Sequence, residues 1–110
     1  WPINMNENEF NQHCDTIMRT IEDTIDNSIE DIDCETSSGI LTLTFEANGS
    51  KIIISRQPSQ SQIWLAAKSG GYYFDYIENS WLSTINEESL GVLLQKTCLD
   101  QGGGSIVFDI

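Results

Sequence analysis

The sequence predicts an α+β fold: a two-layer sandwich with two helices packed on one face of an antiparallel sheet of about six strands. Three observations carry this expectation. An apolar stripe of helical period opens the chain, and a second one lies near its end. Between them runs a series of short, alternating, β-rich segments separated by turn residues. No repeat or linker interrupts the series, so the helices cover one face of a continuous sheet and leave the other wet.

The opening helix follows Asn6 and Glu9, a pairing close to the capping-box pattern. Phe10, Cys14, Ile17, Ile21, Ile25 and Ile29 then recur every three or four residues as one buried stripe. The first strand is expected over Ile32–Glu35, with Ile32 and Cys34 inward and Asp31, Asp33 and Glu35 together outward. Ile40–Phe45 reads as a second strand and Lys51–Ser55 as a third, joined through the turn residues Asn48 and Gly49. Pro58 and its polar neighbours mark a loop. Ile63–Ala67 is the fourth strand, Gly70-Gly71 a turn, Tyr72–Ile77 the fifth strand and Trp81–Ser83 a short sixth. Thr84 and Glu87 suggest a second capping box, ahead of a helix carrying Leu90, Leu93, Leu94, Thr97 and Cys98. Gly102-Gly103-Gly104 ends that helix. The apolar tail 105–110 is expected to fold back across the two helices, because its side chains are costly to leave in water.

At 110 residues the chain is long enough for one modest core, and a single domain is expected over residues 5–110. Residues 1–4 precede Met5 and are read as a remnant added ahead of the domain. No apolar run approaches the ~20 residues of a membrane-spanning helix. Cys14, Cys34 and Cys98 are odd in number and have no CxxC spacing, so buried small hydrophobes in a reducing cytoplasm are expected rather than disulfides or zinc ligands.

The net charge of −12 argues against nucleic acid and favours cations or basic protein surfaces. Seven of the seventeen acids lie between Glu22 and Glu35, with no Lys or Arg among them. Glu22 and Asp26 share a helix face, and Asp31, Asp33 and Glu35 share a strand face. With Asp23 and Glu30 these hard oxygen donors form a candidate surface for Mg²⁺, Ca²⁺, Mn²⁺ or iron. The competing reading is a merely solvated acidic face. Thr36 stands where an EF-hand loop needs glycine, and no ExxH di-iron pattern occurs. The lone His13 reads as a helix-boundary residue before it reads as a ligand. With no GxSxG, no P-loop and a single histidine, the chain is not expected to be an enzyme.

Strand alternation sends Trp64 to the face opposite Ile63 and Leu65, as an exposed anchor for a partner, with Gln62 beside it and Gln57 on the adjoining loop. The alternative is a tryptophan buried beneath a loop.

The acidic first helix and strand, Asp31-Ile-Asp-Cys-Glu35, the hairpin from Gly39 to Ile54, Arg56-Gln57, Gln62-Ile-Trp-Leu-Ala66 and Gly70-Gly-Tyr-Tyr-Phe-Asp75 together resemble the frataxin family, in its bacterial form, over most of residues 5–100. Ser55 stands where the family usually has Asn, and Tyr73 where bacterial members usually have His. The resemblance implies a frataxin-like fold and a cytoplasmic role in iron–sulfur cluster assembly. It implies weak binding of Fe²⁺ and Fe³⁺ at the acidic ridge, other divalent cations also being accepted. The implied partners are a cysteine desulfurase and the iron–sulfur scaffold protein, whose rate the protein modulates, with neither nucleic acid nor membrane involved. An iron metallochaperone or buffer delivering iron to the scaffold is the alternative role. A monomer is expected, which metal can drive into oligomers.

Overall fold

A computed structural model describes residues 5–102 and 104–110. The expected remnant at residues 1–4 lies outside the described residues. Helix α1 spans Glu7–Asp26. The strands β1 (Ile32–Ser37), β2 (Ile40–Phe45), β3 (Lys51–Gln57), β4 (Gln62–Ala67), β5 (Gly70–Ile77) and β6 (Ser80–Ser83) follow, and then helix α2 (Leu90–Asp100). The strands pair in sequence order as one antiparallel meander. Its β1–β2 and β5–β6 hairpins turn on residue pairs in the left-handed region, Ser38-Gly39 and Glu78-Asn79, which suits the twist of tight hairpins.

The Asn6–Glu9 capping box forms in full. The apolar stripe is shorter than expected and slightly rotated. Phe10, Cys14, Met18, Ile21 and Ile25 are buried, Ile17 is half-buried, and Ile29 is 96% exposed. The helix stops at Asp26 because its last turn already carries acids and no base. Continuing it would stack Glu30 above Asp26, like charge on like, at the negative end of the helix dipole.

Leu41, Leu43, Phe45, Ile52, Ile54, Ile63, Leu65, Phe74 and Trp81 form the sheet's contribution to a core shared with both helices. Ile32 and Cys34 of β1 pack against it half-buried, as expected of an edge strand.

Three local expectations shift. The turn between β4 and β5 falls on Lys68-Ser69, and Gly70-Gly71 belong to β5. The reason is Trp64: a Cβ on Gly71 would sit 3.1 Å from its indole Nε1, so the indole rests on bare backbone. Thr84 and Glu87 do not cap α2. Glu87 has φ +60° and donates its N–H to the Ser83 carbonyl, closing a turn that brings Ser89 back beside Leu82. Ser89 is the true cap and accepts the Val92 N–H. Finally, Gln57 ends β3 instead of lying on a loop.

The C-terminal tail folds back as expected. Ile106 and Phe108 are each 5% exposed while Val107 is 70% exposed, so the tail alternates like a strand. It crosses α2 at Gly91, where an added Cβ would lie 2.7 Å from the Phe108 carbonyl oxygen. Gly91 is a notch that lets the tail backbone touch the helix.

The acidic ridge and the uncovered sheet face

The charge run becomes a ridge along the β1 edge. Asp31, Asp33 and Glu35 are exposed on the uncovered side of β1, and Asp23 and Asp26 are exposed on the last turns of α1. Glu22 is half-buried, and its carboxylate accepts a hydrogen bond from the Thr36 hydroxyl at 2.8 Å, pinning the helix to the strand. Glu30 departs from the group. Its carboxylate lies against Gly104 at the start of the tail, where a Cβ would come within 2.6 Å of Oε1.

Beneath the ridge lies Cys34, facing inward from β1. Burial, followed by the nearby charges of Asp26, Glu22 and Asp33, pushes its thiol up to about 11. Burial likewise pushes Cys14 and Cys98 up to about 12, and all three cysteines are free thiols. Among the described residues no three His, Cys, Asp or Glu side chains converge as a ready-made metal site. The ridge is thus a line of hard oxygen donors. Its chemistry suits loose attraction of a divalent cation that keeps most of its own water.

His13 is remote from this ridge in the sheet order. It lies well inside α1 and stacks on Tyr76 of β5, ring centroids 4.2 Å apart.

The other sequence candidates meet on the uncovered sheet face. The register aligns Ile40, Ser55, Trp64 and Tyr73 in one row across β2 to β5. Gln57, Gln62 and Asp75 form the next row. Trp64 is half-buried, its indole lying along the sheet over Gly71. No helix covers it. Gln62 donates to Asp75 Oδ1 at 2.9 Å, which fixes the amide beside the indole. Tyr73 and Ile40, 43% and 41% exposed, widen the apolar patch. Neither residue was part of the patch expected from the sequence; the strand register sets both in line with Trp64.

Arg56, at the end of β3, turns to the helix side and ties the sheet to α1 through Asp15 and Asn11. It therefore does not offset the acids on the β1 edge.

The comparisons with known proteins agree with this geometry. A family model described as "Frataxin-like domain" matches residues 3–104. The chain is 45% identical over 106 residues to the "Iron-sulfur cluster assembly protein CyaY" of Pseudomonas aeruginosa, covering 94% of this chain and 97% of that one. It is 40% identical over 109 residues to the protein of the same name in Stutzerimonas stutzeri, covering 97% and 98%. Frataxin from Psychromonas ingrahamii superposes with a TM-score of 0.90 at 32% identity, covering 96% of this chain and all of that one. Trimeric frataxin from the yeast Saccharomyces cerevisiae, complexed with ferrous iron, superposes with a TM-score of 0.67 at 29% identity, covering 91% and 90%. Among the described residues no helix is long and apolar enough to cross a membrane. With its meander of six strands under two helices, its acidic β1 edge and its matching relatives, the chain belongs to the frataxin-like family.

Proposed function

We propose that the protein acts in iron–sulfur cluster assembly as a non-catalytic adaptor. It binds a cysteine desulfurase–scaffold complex and modulates its rate, using two surfaces together. The uncovered sheet face around Trp64, Gln62 and Gln57 supplies a flat contact in which one aromatic side chain carries much of the affinity. The acidic ridge steers a basic partner surface toward the same uncovered face of the molecule and holds a divalent cation weakly. The observation that carries this reading is the sheet face that neither helix covers, bearing a half-buried tryptophan on β4 and, three strands away, the exposed acids of the β1 edge. Relatives named as iron–sulfur cluster assembly proteins support the pathway.

The yeast frataxin complexed with ferrous iron favours a second reading, in which the ridge carries iron to the scaffold as cargo. Hard carboxylate donors fit ferrous iron, and the absence of a converging set among the described residues fits an ion held briefly and released. One assay separates the two readings. Desulfurase turnover with and without the protein should change in iron-free buffer if the protein is an adaptor. It should change only in iron-loaded buffer if the protein delivers cargo. Failure to co-purify with desulfurase and scaffold would refute the adaptor reading.

A further inference from the structure

The tip of the β2–β3 hairpin carries the one asparagine–glycine step in the sequence, Asn48-Gly49. Such a step is chemically labile. With no Cβ on the following residue, its deprotonated backbone nitrogen can reach the carbonyl carbon of the asparagine side chain. A new N–C bond closes a succinimide ring, and the side-chain nitrogen leaves, with a proton, as ammonia. Water then opens the ring at either carbonyl, leaving aspartate or isoaspartate. The net change is one water consumed, one ammonium ion released and one carboxylate gained.

The fold engages each group that this reaction needs. The Gly49 N–H donates to the Phe45 carbonyl at 2.7 Å. The Asn48 amide is held at both ends: Nδ2 donates to the Gln101 carbonyl and Oδ1 accepts the Ser50 N–H, each at 2.9 Å. Nδ2 also lies against bare backbone, since a Cβ on Gly102 would come within 3.4 Å of it. Gln101 is the C-cap of α2 and is 2% exposed. Its side chain clasps two hairpins. Nε2 donates to Ser50 Oγ at 3.0 Å and to the Lys51 carbonyl at 3.3 Å, while Oε1 accepts the Lys68 N–H at 2.9 Å. The last turn of α2 carries no base, and the neutral Asn48 amide is the donor that meets a carbonyl at that helix end.

We propose that Asn48 is a deamidation site, shielded while the Gln101 clasp is closed, whose conversion unfastens the C-terminal end of α2 from the β2–β3 and β4–β5 hairpins. Reaction proceeds through local openings that free the Gly49 N–H and the Asn48 side chain together. The product does not fit back. An aspartate at this position has no N–H for the Gln101 carbonyl and sets a negative charge at the negative end of the α2 dipole. Isoaspartate also adds a carbon to the main chain inside the hairpin turn. Each opening that ends in reaction is therefore retained, and the modified molecule keeps a loosened α2.

The test follows deamidation of the full chain in mildly alkaline buffer, with and without urea, by peptide mapping and mass spectrometry. Asn27-Ser28 and Asn79-Ser80 serve as references within the same chain. In urea Asn48 should convert faster than either by ~10-fold or more, because the serine side chain hinders the ring closure that glycine permits. Without urea, conversion at Asn48 should slow by ~10-fold or more. Ser50→Ala removes an acceptor of the Gln101 amide and should speed conversion at Asn48 in native buffer, leaving Asn79 unchanged. Asn48→Asp mimics the product. In that variant the Lys68 amide, which reports on the clasp, should exchange with deuterium ~10-fold faster by NMR, while amides at the centre of β4 keep their rates. The proposal is overturned if Asn48 converts as fast in native buffer as in urea, or fails to outpace the two serine-linked sites in urea. It is equally overturned if Ser50→Ala leaves the native rate at Asn48 unchanged, or if Asn48→Asp leaves Lys68 exchange unchanged.

Discussion

Gly91→Ala should change sign with its surroundings. In an isolated helix the substitution stabilises by up to ~1 kcal/mol, because glycine loses more backbone freedom on folding than alanine. In this protein the new Cβ would stand 2.7 Å from the Phe108 carbonyl oxygen, 3.0 Å from Ile110 Cγ1 and 3.2 Å from the Ile110 carbonyl oxygen. Two of these neighbours are backbone atoms, so no rotamer change relieves them. Overpacking of this kind costs about 1–3 kcal/mol. The net expectation for the full chain is a loss of about 1–2 kcal/mol, a fall in Tm of several degrees. In a chain ending at residue 104 the obstruction is gone, and the same substitution should raise stability by up to ~1 kcal/mol. Urea unfolding followed by far-UV circular dichroism, on both backgrounds with and without Gly91→Ala, measures the four midpoints. A companion pair checks the tail itself: Phe108→Ala should cost about 3–5 kcal/mol and Val107→Ser close to nothing. The reasoning fails if Gly91→Ala stabilises the full chain as much as the truncated one, or if Phe108→Ala leaves the midpoint unchanged.

Four further outcomes follow from the geometry. Trp64→Ala should weaken the desulfurase complex by ~2 kcal/mol at every salt concentration, read by titration calorimetry, while the melt shifts little; unfolding instead would make the indole a core residue. Asp31→Asn with Asp33→Asn should slow association mainly at low ionic strength, read by stopped-flow, and a salt-independent effect would rule out steering. Millimolar Mn²⁺ should raise the Tm of the natural chain by binding the folded form, and that increment should shrink in the same double variant. The buried thiols should make the fold sensitive to alkali. Cys14 and Cys98 hold their protons to about 12 when folded, whereas unfolded thiols release them near 9, so their contribution is intact below that value and is lost as pH rises. By pH 10 the loss should reach ~3 kcal/mol for the pair, and Cys14→Ala with Cys98→Ala should flatten that pH slope.

Much of this protein was legible along the chain, and the reason is local. The capping box at Asn6 and Glu9, the alternation of β2 and β4 and the period of α2 each depend on residues a few positions apart. Alternation alone also assigned Trp64 to the face away from Ile63 and Leu65. The acids between Glu22 and Glu35 marked the ridge because so long a run of one sign is visible without any fold. The misplaced boundaries have tertiary causes. Gly70-Gly71 looked like a turn because nothing in the strand itself shows that the Trp64 indole needs bare backbone opposite it. Thr84 and Glu87 looked like a cap because the pattern cannot register that the chain must first return to pair Ser89 with Leu82.

Composition and period thus determined the class of fold, the acidic edge and the two faces of each strand. Distances between remote segments decided the rest. Only folding turned Glu30 away from the ridge toward Gly104, set Gln62 against Asp75, and stacked His13 on Tyr76. The physical division is between free energies set within a few residues, such as capping and alternation, and those that exist only once the sheet register has brought distant side chains together.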